Sequence, residues 1–262
     1  MKAKIEILGC GTSTGVPIPL CDCNVCTSTD PKNQRLRSSA VVSLPTEENI
    51  LIDTSTDFRQ QILRSKLSSI EAVLYTHAHS DHYLGIDDLK PIYYANNKEI
   101  PCYADLETAK RIKQIFDYIF SPDPSWKGSR LPELKINHIK PWDSIEIAGK
   151  TIEVFPLYHG DMLIQGFKFG NLAYATDCNR IPEETKKLLT GIDILILDAV
   201  RVKSHPSHFT IEEAIASSQE LSAGNTYLTH MSHDVEYQED SKKLPENVYY
   251  CYDGMTLEFD WP

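Results

Sequence analysis

The sequence predicts an α/β protein built as a four-layer αββα sandwich, with two mixed β-sheets packed face to face and helices on their outer faces. Short apolar, β-prone runs follow one another along the chain, and amphipathic helix-like stretches separate the later ones. Polar residues that can bind metals or transfer protons stand directly after several of these runs. The length of 262 residues and the hydrophobic content of 41% suit one large core. We therefore predict a single domain over residues 1–262.

The predicted elements rest on two periodicities, the alternation of strands and the spacing of an apolar helix face. The predicted strands are residues 1–7, 40–44, 50–53, 72–75, 101–103, 144–147, 151–155, 166–169, 172–175, 192–197 and 226–228. The predicted helices are residues 84–94, 106–120, 182–189 and 210–221, with another beginning near Asp57. The first strand alternates charged and apolar residues, which is typical of the edge of a sheet.

The densest functional signal is the stretch Thr76–His82, which reads Thr-His-Ala-His-Ser-Asp-His. It follows an apolar run that should deliver it at the C-terminal end of a buried strand. Since His77 and His79 are two residues apart, they face the same way on extended chain and can bind one ion. Asp81 and His82, where the chain turns, can face a second ion. The alternative is a chance cluster of surface histidines, and the spacing after an apolar run argues against it.

The charge and hydropathy of the sequence limit which partners the protein can have. The formal net charge is -11 and there is no Lys/Arg-rich tract, which disfavours nonspecific binding to nucleic acid. A small anionic substrate held by metals stays compatible with this charge. The N-terminus lacks the apolar region of a signal peptide, and no apolar run reaches the roughly 18 residues of a membrane span. We therefore predict a soluble, cytoplasmic protein without a membrane partner.

Three of the seven cysteines, Cys21, Cys23 and Cys26, form a Cys-x-Cys-x-x-Cys cluster. In a reducing compartment such a cluster is better explained as a thiolate metal site than as disulfides, and three sulfurs call for a fourth ligand. A Cys₃His zinc site is the natural completion, and His233 is the candidate. Free thiols or a redox cluster are the alternative. The four single cysteines are expected to be small core residues.

Further candidates stand at the ends of other apolar runs. His159, Asp177 and His230 each follow such a run, and their common placement predicts that they meet at one edge of the sandwich. Asp53 also ends an apolar strand. It could cap the helix that begins near Asp57, or it could hydrogen-bond a metal-ligating histidine, and the sequence favours neither.

Two irregular segments are expected near this edge. The glycine-rich stretch 9–17 lacks the spacing of either standard nucleotide-binding fingerprint, so we interpret it as a turn-rich loop beside the active site, where glycine permits close approach. The segment 104–140 contains a proline- and tryptophan-bearing stretch, and we predict a lid or a subunit contact there. The second interpretation would make the protein a homodimer.

The His-x-His-x-Asp-His motif of residues 77–82 matches without substitution the signature of the metallo-β-lactamase-fold hydrolases, and the resemblance covers nearly the whole chain. This resemblance implies a four-layer αββα sandwich and two active-site metals. It implies one metal held by His77, His79 and His159, a second held by Asp81, His82 and His230, and Asp177 bridging both. Two divalent ions at about 3.5 to 4 Å repel, and a bridging carboxylate and hydroxide offset that repulsion. Zinc, manganese and iron all suit such ligands.

Within this superfamily, further motifs resemble the phosphoribosyl cyclic phosphate phosphodiesterases of bacterial phosphonate breakdown. They are the Gly-Val-Pro before the cysteine cluster and the stretches 204–208, 229–233 and 253–255. The resemblance implies that the cysteine cluster and His233 bind a structural zinc and that His208 assists catalysis. His208 directly precedes the predicted helix 210–221, so it could instead be an N-cap or turn residue.

These observations predict a dinuclear metal-dependent phosphodiesterase that hydrolyses a small, cyclic phosphodiester. A hydroxide bridging two zinc or manganese ions would attack phosphorus, with Asp81, Asp177 and His208 as the catalytic residues. One alternative is another hydrolase of the same fold, acting on a thioester, a lactone or an RNA 3′ end. A second is a noncatalytic accessory protein of cofactor biosynthesis, as in the pyrroloquinoline quinone pathway.

Overall fold

Two β-sheets form the framework of the computed structural model, which describes residues 2–123, 125, 127–128 and 130–262. Within those residues each sheet has seven strands. The first sheet contains β1 (Lys2–Gly9), β2 (Ser39–Ser43), β3 (Asn49–Ile52), β4 (Ala72–Leu74), β5 (Ile100–Ala104), β6 (Leu134–His138) and β14 (Thr256–Asp260). The second contains β7 (Ser144–Ile147), β8 (Lys150–His159), β9 (Met162–Phe169), β10 (Leu172–Ala175), β11 (Ile194–Asp198), β12 (Asn225–Thr229) and β13 (Val248–Tyr250).

The order of the strands explains why functional residues gather at one edge. The first sheet runs β14-β1-β2-β3-β4-β5-β6 and the second runs β13-β12-β11-β10-β9-β8-β7. Strands β3 to β6 are parallel to one another, and so are β10 to β13. The carboxyl ends of parallel strands meet at the same edge of a sheet, so the residues that follow them are brought together there.

Helices cover the outer face of each sheet. They are α1 (Phe58–Ser65), α2 (Ser80–Tyr83), α3 (Lys90–Asn96), α4 (Leu106–Ile115), α5 (Asp117–Phe120), α6 (Glu183–Leu189), α7 (Ile211–Glu220) and α8 (Tyr237–Ser241), with 3₁₀ turns at Pro31–Asn33 and Leu84–Leu89. Buried residues of α1, α3 and α4 pack with one face of the first sheet. Buried residues of α6 and α7 pack with the second. The predicted αββα sandwich is confirmed.

Alternation along the strands builds two apolar layers in the first sheet. Val42 and Ile50 join the core between the sheets, whereas their neighbours Val41 and Leu51 join the layer under the helices. Successive side chains of a strand point to opposite faces, so a strand covered on both sides must be apolar throughout. This accounts for the continuous apolar runs in the sequence.

The prediction that the first strand lies at an edge of a sheet is wrong. β1 pairs with β2 on one side and with β14 on the other, where Ile5 lies opposite Leu257. The charged residues of β1 alternate with buried ones because its outward face meets solvent, which is also the pattern of an edge strand. The sequence analysis also omitted β13, β14 and α8.

The segment 104–140 contains α4, α5 and β6 in the structure. Residues 124, 126 and 129, which fall in the stretch predicted to be a lid or subunit contact, lie outside the described residues, so that function stays a prediction. Across the part of the chain that the structure covers, no helix combines the length and the apolar character that a membrane span requires.

Candidate metal centre and active site

Three of the strands that deliver residues to the site end in the same unusual way. Asp53 follows β3, Asp177 lies two residues beyond β10 and His230 follows β12, and all three have positive φ, at 61°, 56° and 60°. Non-glycine residues rarely occupy this left-handed region, and those that do are concentrated at functional sites. The sharp turn redirects each side chain into the space between the sheet edges.

The first donor group consists of His77, His79, His159 and Asp177, whose candidate ligand atoms all lie within 4.8 Å of one another. The ring centroids of His77 and His79 are 4.6 Å apart, as expected for residues two apart on extended chain. The Nδ1 of His159 donates to the carbonyl of Ser207 at 2.8 Å, which leaves its other ring nitrogen for a ligand.

The second donor group consists of Asp81, His82, Asp177 and His230, again within 4.8 Å. The Nε2 of His82 lies 3.4 Å from an oxygen of Asp81 and 3.2 Å from one of Asp177. Asp177 therefore belongs to both groups. This grouping agrees with the two ligand sets that the family resemblance implies.

The charges of the second donor group require a cation. Burial by itself would lower the pKa of His82, but the surrounding carboxylates, Asp177 foremost, raise it well above its ordinary value. Burial lowers the pKa of His230 to about 3, so that ring is neutral. Buried carboxylates need a compensating positive charge, which a proton on His82 or a divalent ion can supply.

Asp53 fixes two of the candidate ligands through a buried hydrogen-bond network. His82 Nδ1 donates to Asp53 at 2.6 Å, and the hydroxyl of Thr76 donates to the same carboxylate oxygen at 2.8 Å. That hydroxyl lies 3.0 Å from His77 Nδ1 and can accept from it. Of the two roles considered for Asp53, the structure supports the partner of a histidine, since the N-cap position of α1 is occupied by Asp57.

Because of this network, His77 and His82 are arranged in a way that suits metal ligands. With their Nδ1 atoms engaged, His77 and His82 present buried Nε2 atoms that make no well-aligned hydrogen bond among the residues described, although that of His82 lies 3.2 Å from an oxygen of Asp177. Buried polar atoms without partners are costly unless a ligand satisfies them. Neutral imidazoles and carboxylates in this arrangement are the donors that zinc and manganese accept.

His208 lies beside both donor groups. Its ring centroid is 4.5 Å from that of His159 and 4.8 Å from that of His230. The N-cap of α7 is Thr210, which forms a reciprocal capping box with Glu213. The interpretation of His208 as the helix cap is therefore wrong.

Asp198 is a residue of the candidate site that was not predicted from the sequence. It ends β11, is fully buried, and accepts hydrogen bonds from His208 Nδ1 at 3.2 Å and from the Phe209 backbone at 3.0 Å. Burial raises the pKa of Asp198 to about 7, with His208 opposing the shift. Burial also works against protonation of His208, but Asp198 and other carboxylates together raise the pKa of that ring. The sequence did contain a signal for Asp198, because this residue follows an apolar run as Asp177 does.

The glycine-rich stretch 9–17 lies against the loop that follows β12. Gly11 forms isolated β-bridges with both Arg37 and Met231. A Cβ on Gly11 would stand 2.8 Å from the carbonyl of Arg35, so the backbone can pass here only without a side chain. The predicted close approach of the glycine loop is confirmed.

The cysteine cluster meets His233 as predicted. The sulfurs of Cys21, Cys23 and Cys26 lie 3.3, 3.5 and 3.5 Å from His233 Nδ1. Tetrahedral zinc with Zn–S near 2.3 Å and Zn–N near 2.0 Å would place sulfur and nitrogen about 3.5 Å apart. The donor set therefore fits a zinc ion.

Two thiols of this cluster have pKa values that are shifted in opposite directions. A backbone hydrogen bond from Cys26 lowers the pKa of Cys23 to about 6, whereas burial raises the pKa of Cys26 to about 11. A metal ion would supply the charge that lets several thiolates coexist.

Replacing Cys23 by serine is expected to remove one zinc per chain and to lower Tm by roughly 5–10 °C, because about 2–3 kcal/mol shifts Tm by about 2–4 °C per kcal/mol in a chain of this size. Elemental analysis and calorimetry measure both changes. Asp22→Asn, an exposed position in the same loop, is the matched control and should retain the zinc. Retention of the zinc by Cys23→Ser would contradict the Cys₃His site.

Comparison with known proteins places this geometry in a family. A family model described as a beta-lactamase superfamily domain matches residues 48–231. A solved structure described as a new diphosphatase from the PhnP family has 39% sequence identity and a TM-score of 0.92, covering 100% of this chain and 98% of that chain. Coenzyme PQQ synthesis protein B of Methylorubrum populi is 29% identical over 223 residues, 74% of this chain and 72% of that protein.

A further relative is twice as long as this chain. The octanoyltransferase of Porphyromonas gingivalis is 37% identical over 256 residues, which are 97% of this chain but 51% of that protein. The chain therefore spans about half the length of this curated relative. The family model and the PhnP-family structure together show that this chain belongs to the metallo-β-lactamase superfamily and, within it, to the PhnP family.

Proposed function

We propose that this protein is a dinuclear metal-dependent phosphodiesterase that hydrolyses a small, cyclic phosphodiester. The observation that carries the proposal is the Asp198–His208 pair beside the two donor groups. A proton donor at this position is needed when the leaving group is an alkoxide, which departs poorly as an anion. The family, made up mostly of hydrolases, supports hydrolysis as the reaction type.

The two donor groups would hold two divalent ions, zinc or manganese, with Asp177 as the shared ligand. When bound, such ions lower the pKa of water and neutralise the charge that develops on the phosphate oxygens. Asp53 keeps the Nε2 atoms of His77 and His82 available by engaging their other ring nitrogens, directly or through Thr76. A structural zinc would occupy the cysteine cluster with His233.

His208 would act on the leaving group. Asp198 accepts from its Nδ1 and so fixes the ring, and the opposite nitrogen can carry a proton to the departing alkoxide. The buried carboxylate also favours the protonated ring, which is the form that a general acid requires. Asp198 is therefore a positioning residue, and His208 is the catalytic residue.

A cavity beside His208 suits an anionic substrate. It has a volume of about 220 Å³, and its lining includes Arg201, His205 and the hydroxyl-bearing residues 12–14 together with His233 and Asp234. The His205 and His208 rings are 4.8 Å apart, so the cavity adjoins the proposed reaction centre. A guanidinium and several hydroxyls can donate to phosphate oxygens. This supports a small phosphodiester rather than an apolar thioester.

The names of the relatives suggest three other functions. A diphosphatase acts on a phosphoanhydride, whose leaving phosphate needs little protonation, and the 39% identity to such a protein makes this the second candidate. The octanoyltransferase is matched by this chain over only 51% of its length, so its octanoyl-transfer activity can reside in the half that this chain does not match. A role in cofactor synthesis, suggested by the similarity to PQQ synthesis protein B, would not require the Asp198–His208 pair.

A substrate panel tests the proposal. Protein reconstituted with manganese or zinc is expected to hydrolyse ribonucleoside cyclic phosphates and bis(p-nitrophenyl) phosphate faster than a nucleoside diphosphate, a lactone or a thioester, at equal concentration. Phosphate-ester cleavage is followed by chromatography and absorbance. A preference for the nucleoside diphosphate would favour a diphosphatase, and metal binding without any turnover would favour an accessory role.

A further inference from the structure

One buried arginine contacts the loop that carries a ligand of each proposed metal site. Arg35 is 1% exposed and lies among the largest fully buried side chains of the described residues. Burying a guanidinium is costly unless its donors are satisfied. The contacts of Arg35 therefore indicate what this charge does in the fold.

The guanidinium of Arg35 spans a single turn of the chain. Its Nη1 donates to the carbonyl of Ser232 at 2.9 Å, and its Nη2 donates to the carbonyl of Val235 at 2.8 Å. Nη2 is also 3.2 Å from the side-chain oxygen of Asn33. All the hydrogen bonds that this guanidinium donates within the described part of the chain go to neutral oxygens, and its Nε has no partner there. The planar guanidinium thus binds backbone carbonyls rather than a negatively charged side chain.

The turn that Arg35 holds lies between the two metal sites. Ser232 follows His230 by two residues and immediately precedes His233. His230 belongs to the second donor group, and His233 completes the cysteine cluster. His230 also has a φ of 60°, and a strained backbone of this kind persists only where the surroundings determine it.

The other end of Arg35 is fixed independently of any metal. Its backbone N–H donates to Val16 at 2.7 Å, and Val16 donates back to Arg35 at 2.8 Å. The next residue, Leu36, donates to the buried carboxylate of Asp253 at 2.8 Å, which also accepts from the Cys10 backbone. Arg35 therefore connects the turn to the segment around Val16 and, through Leu36, to Asp253.

We propose that Arg35 is a positioning residue that sets the place of His230 relative to His233, by holding the carbonyl of Ser232 between them and that of Val235 just beyond His233. The inference rests on the two ligand sets of the proposed function. The zinc of the cysteine cluster and the Arg35 guanidinium then restrain the same loop independently of each other. Losing either leaves the other in place, and losing both leaves the loop to its remaining contacts, among them Ser38 Oγ with His230 Nδ1 at 2.9 Å and the Met231 N–H with the Cys10 carbonyl at 2.8 Å.

The test is the affinity of the catalytic metal pair, measured by competition with a chelating dye. Arg35→Met keeps the volume of the side chain but removes the guanidinium. We expect it to weaken manganese binding at the catalytic pair at least 10-fold while the zinc stays bound. When Arg35→Met is combined with Cys23→Ser, the loss of manganese affinity should exceed the product of the two single losses. Each restraint on the loop partly compensates for the absence of the other.

Arg111→Gln is the control. Arg111 is exposed on α4, where it pairs with Glu107 at 3.6 Å, and it has no hydrogen bond or ion pair with the loop 230–235 within the described structure. It should change manganese affinity less than 3-fold. If Arg35→Met is insoluble, Arg35→Lys carries the same test, because a lysine keeps the charge but cannot span both carbonyls.

A purely structural role for Arg35 predicts a different result. It would lower Tm and leave manganese affinity at its parental value, which would overturn the proposal. So would single losses that simply multiply in the double variant. Failure of the proposed function would appear separately, as normal metal affinities in a protein that hydrolyses no phosphodiester.

Discussion

Asp177→Asn is expected to reduce hydrolysis by about 10³-fold or more and to empty the catalytic metal pair while the zinc of the cysteine cluster stays bound. Asp177 is the residue shared by both donor groups. An amide has no charge to offset the repulsion between two divalent ions, and it offers weaker donation to each. A loss of 10³-fold corresponds to about 4 kcal/mol of transition-state stabilisation, within the several kcal/mol that such metals supply.

Metal content measured by elemental analysis separates this effect from a general loss of folding. Asp193→Asn, an exposed aspartate just before β11, is the matched control and should keep all metals and full activity. Asp177→Asn and Cys23→Ser should give opposite patterns of metal loss. Equal loss of every metal from both variants would contradict two separate sites.

His208→Ala is expected to lower kcat on an alkyl cyclic phosphate by about 10² to 10⁴-fold, because removing a general acid leaves a poor leaving group unprotonated. A nitrophenolate departs readily as an anion, so the loss on bis(p-nitrophenyl) phosphate should be at least about tenfold smaller. Asp198→Asn should show the same dependence on the leaving group to a lesser degree, since it disturbs only the hydrogen bond that fixes the ring.

Metal content and Tm of His208→Ala should stay near the parental values, because Thr210 and not His208 caps α7. His138→Ala is the matched control, since His138 is exposed on β6 and belongs to none of the donor groups found among the described residues. Equal losses on both substrates would point to distortion of the metal site. An equal and small loss on both would instead suit a phosphoanhydride substrate.

Local patterns account for the parts of the site that could be predicted from the sequence. His77 and His79 are two apart on extended chain, and the apolar run before them places them at a strand end, so their proximity is a property of the segment itself. The cysteine cluster is local for the same reason, as three sulfurs within six residues must lie close together. The structure agrees with both.

The residues that were missed or misjudged depend on contacts between distant segments. Whether β1 is an edge strand depends on β14, about 250 residues later, and nothing in the alternation of β1 shows whether that partner exists. Asp198 follows an apolar run, but its importance comes from the loop that returns His208 to it. Asp53 could have capped a helix, and the position of His82 decided otherwise.

The sequence by itself determined the fold class, the metal-binding chemistry and the identity of most donors, because residue type and short spacing are enough to specify them. The tertiary structure decided how the donors are grouped: Asp177 stands in both groups, Asp198 orients His208, and Arg35 holds the loop between His230 and His233. Asp53, Asp177 and His230 reach their places through left-handed turns after strands from two sheets. The pairing and stacking of those strands are long-range interactions, which no local pattern of residues encodes.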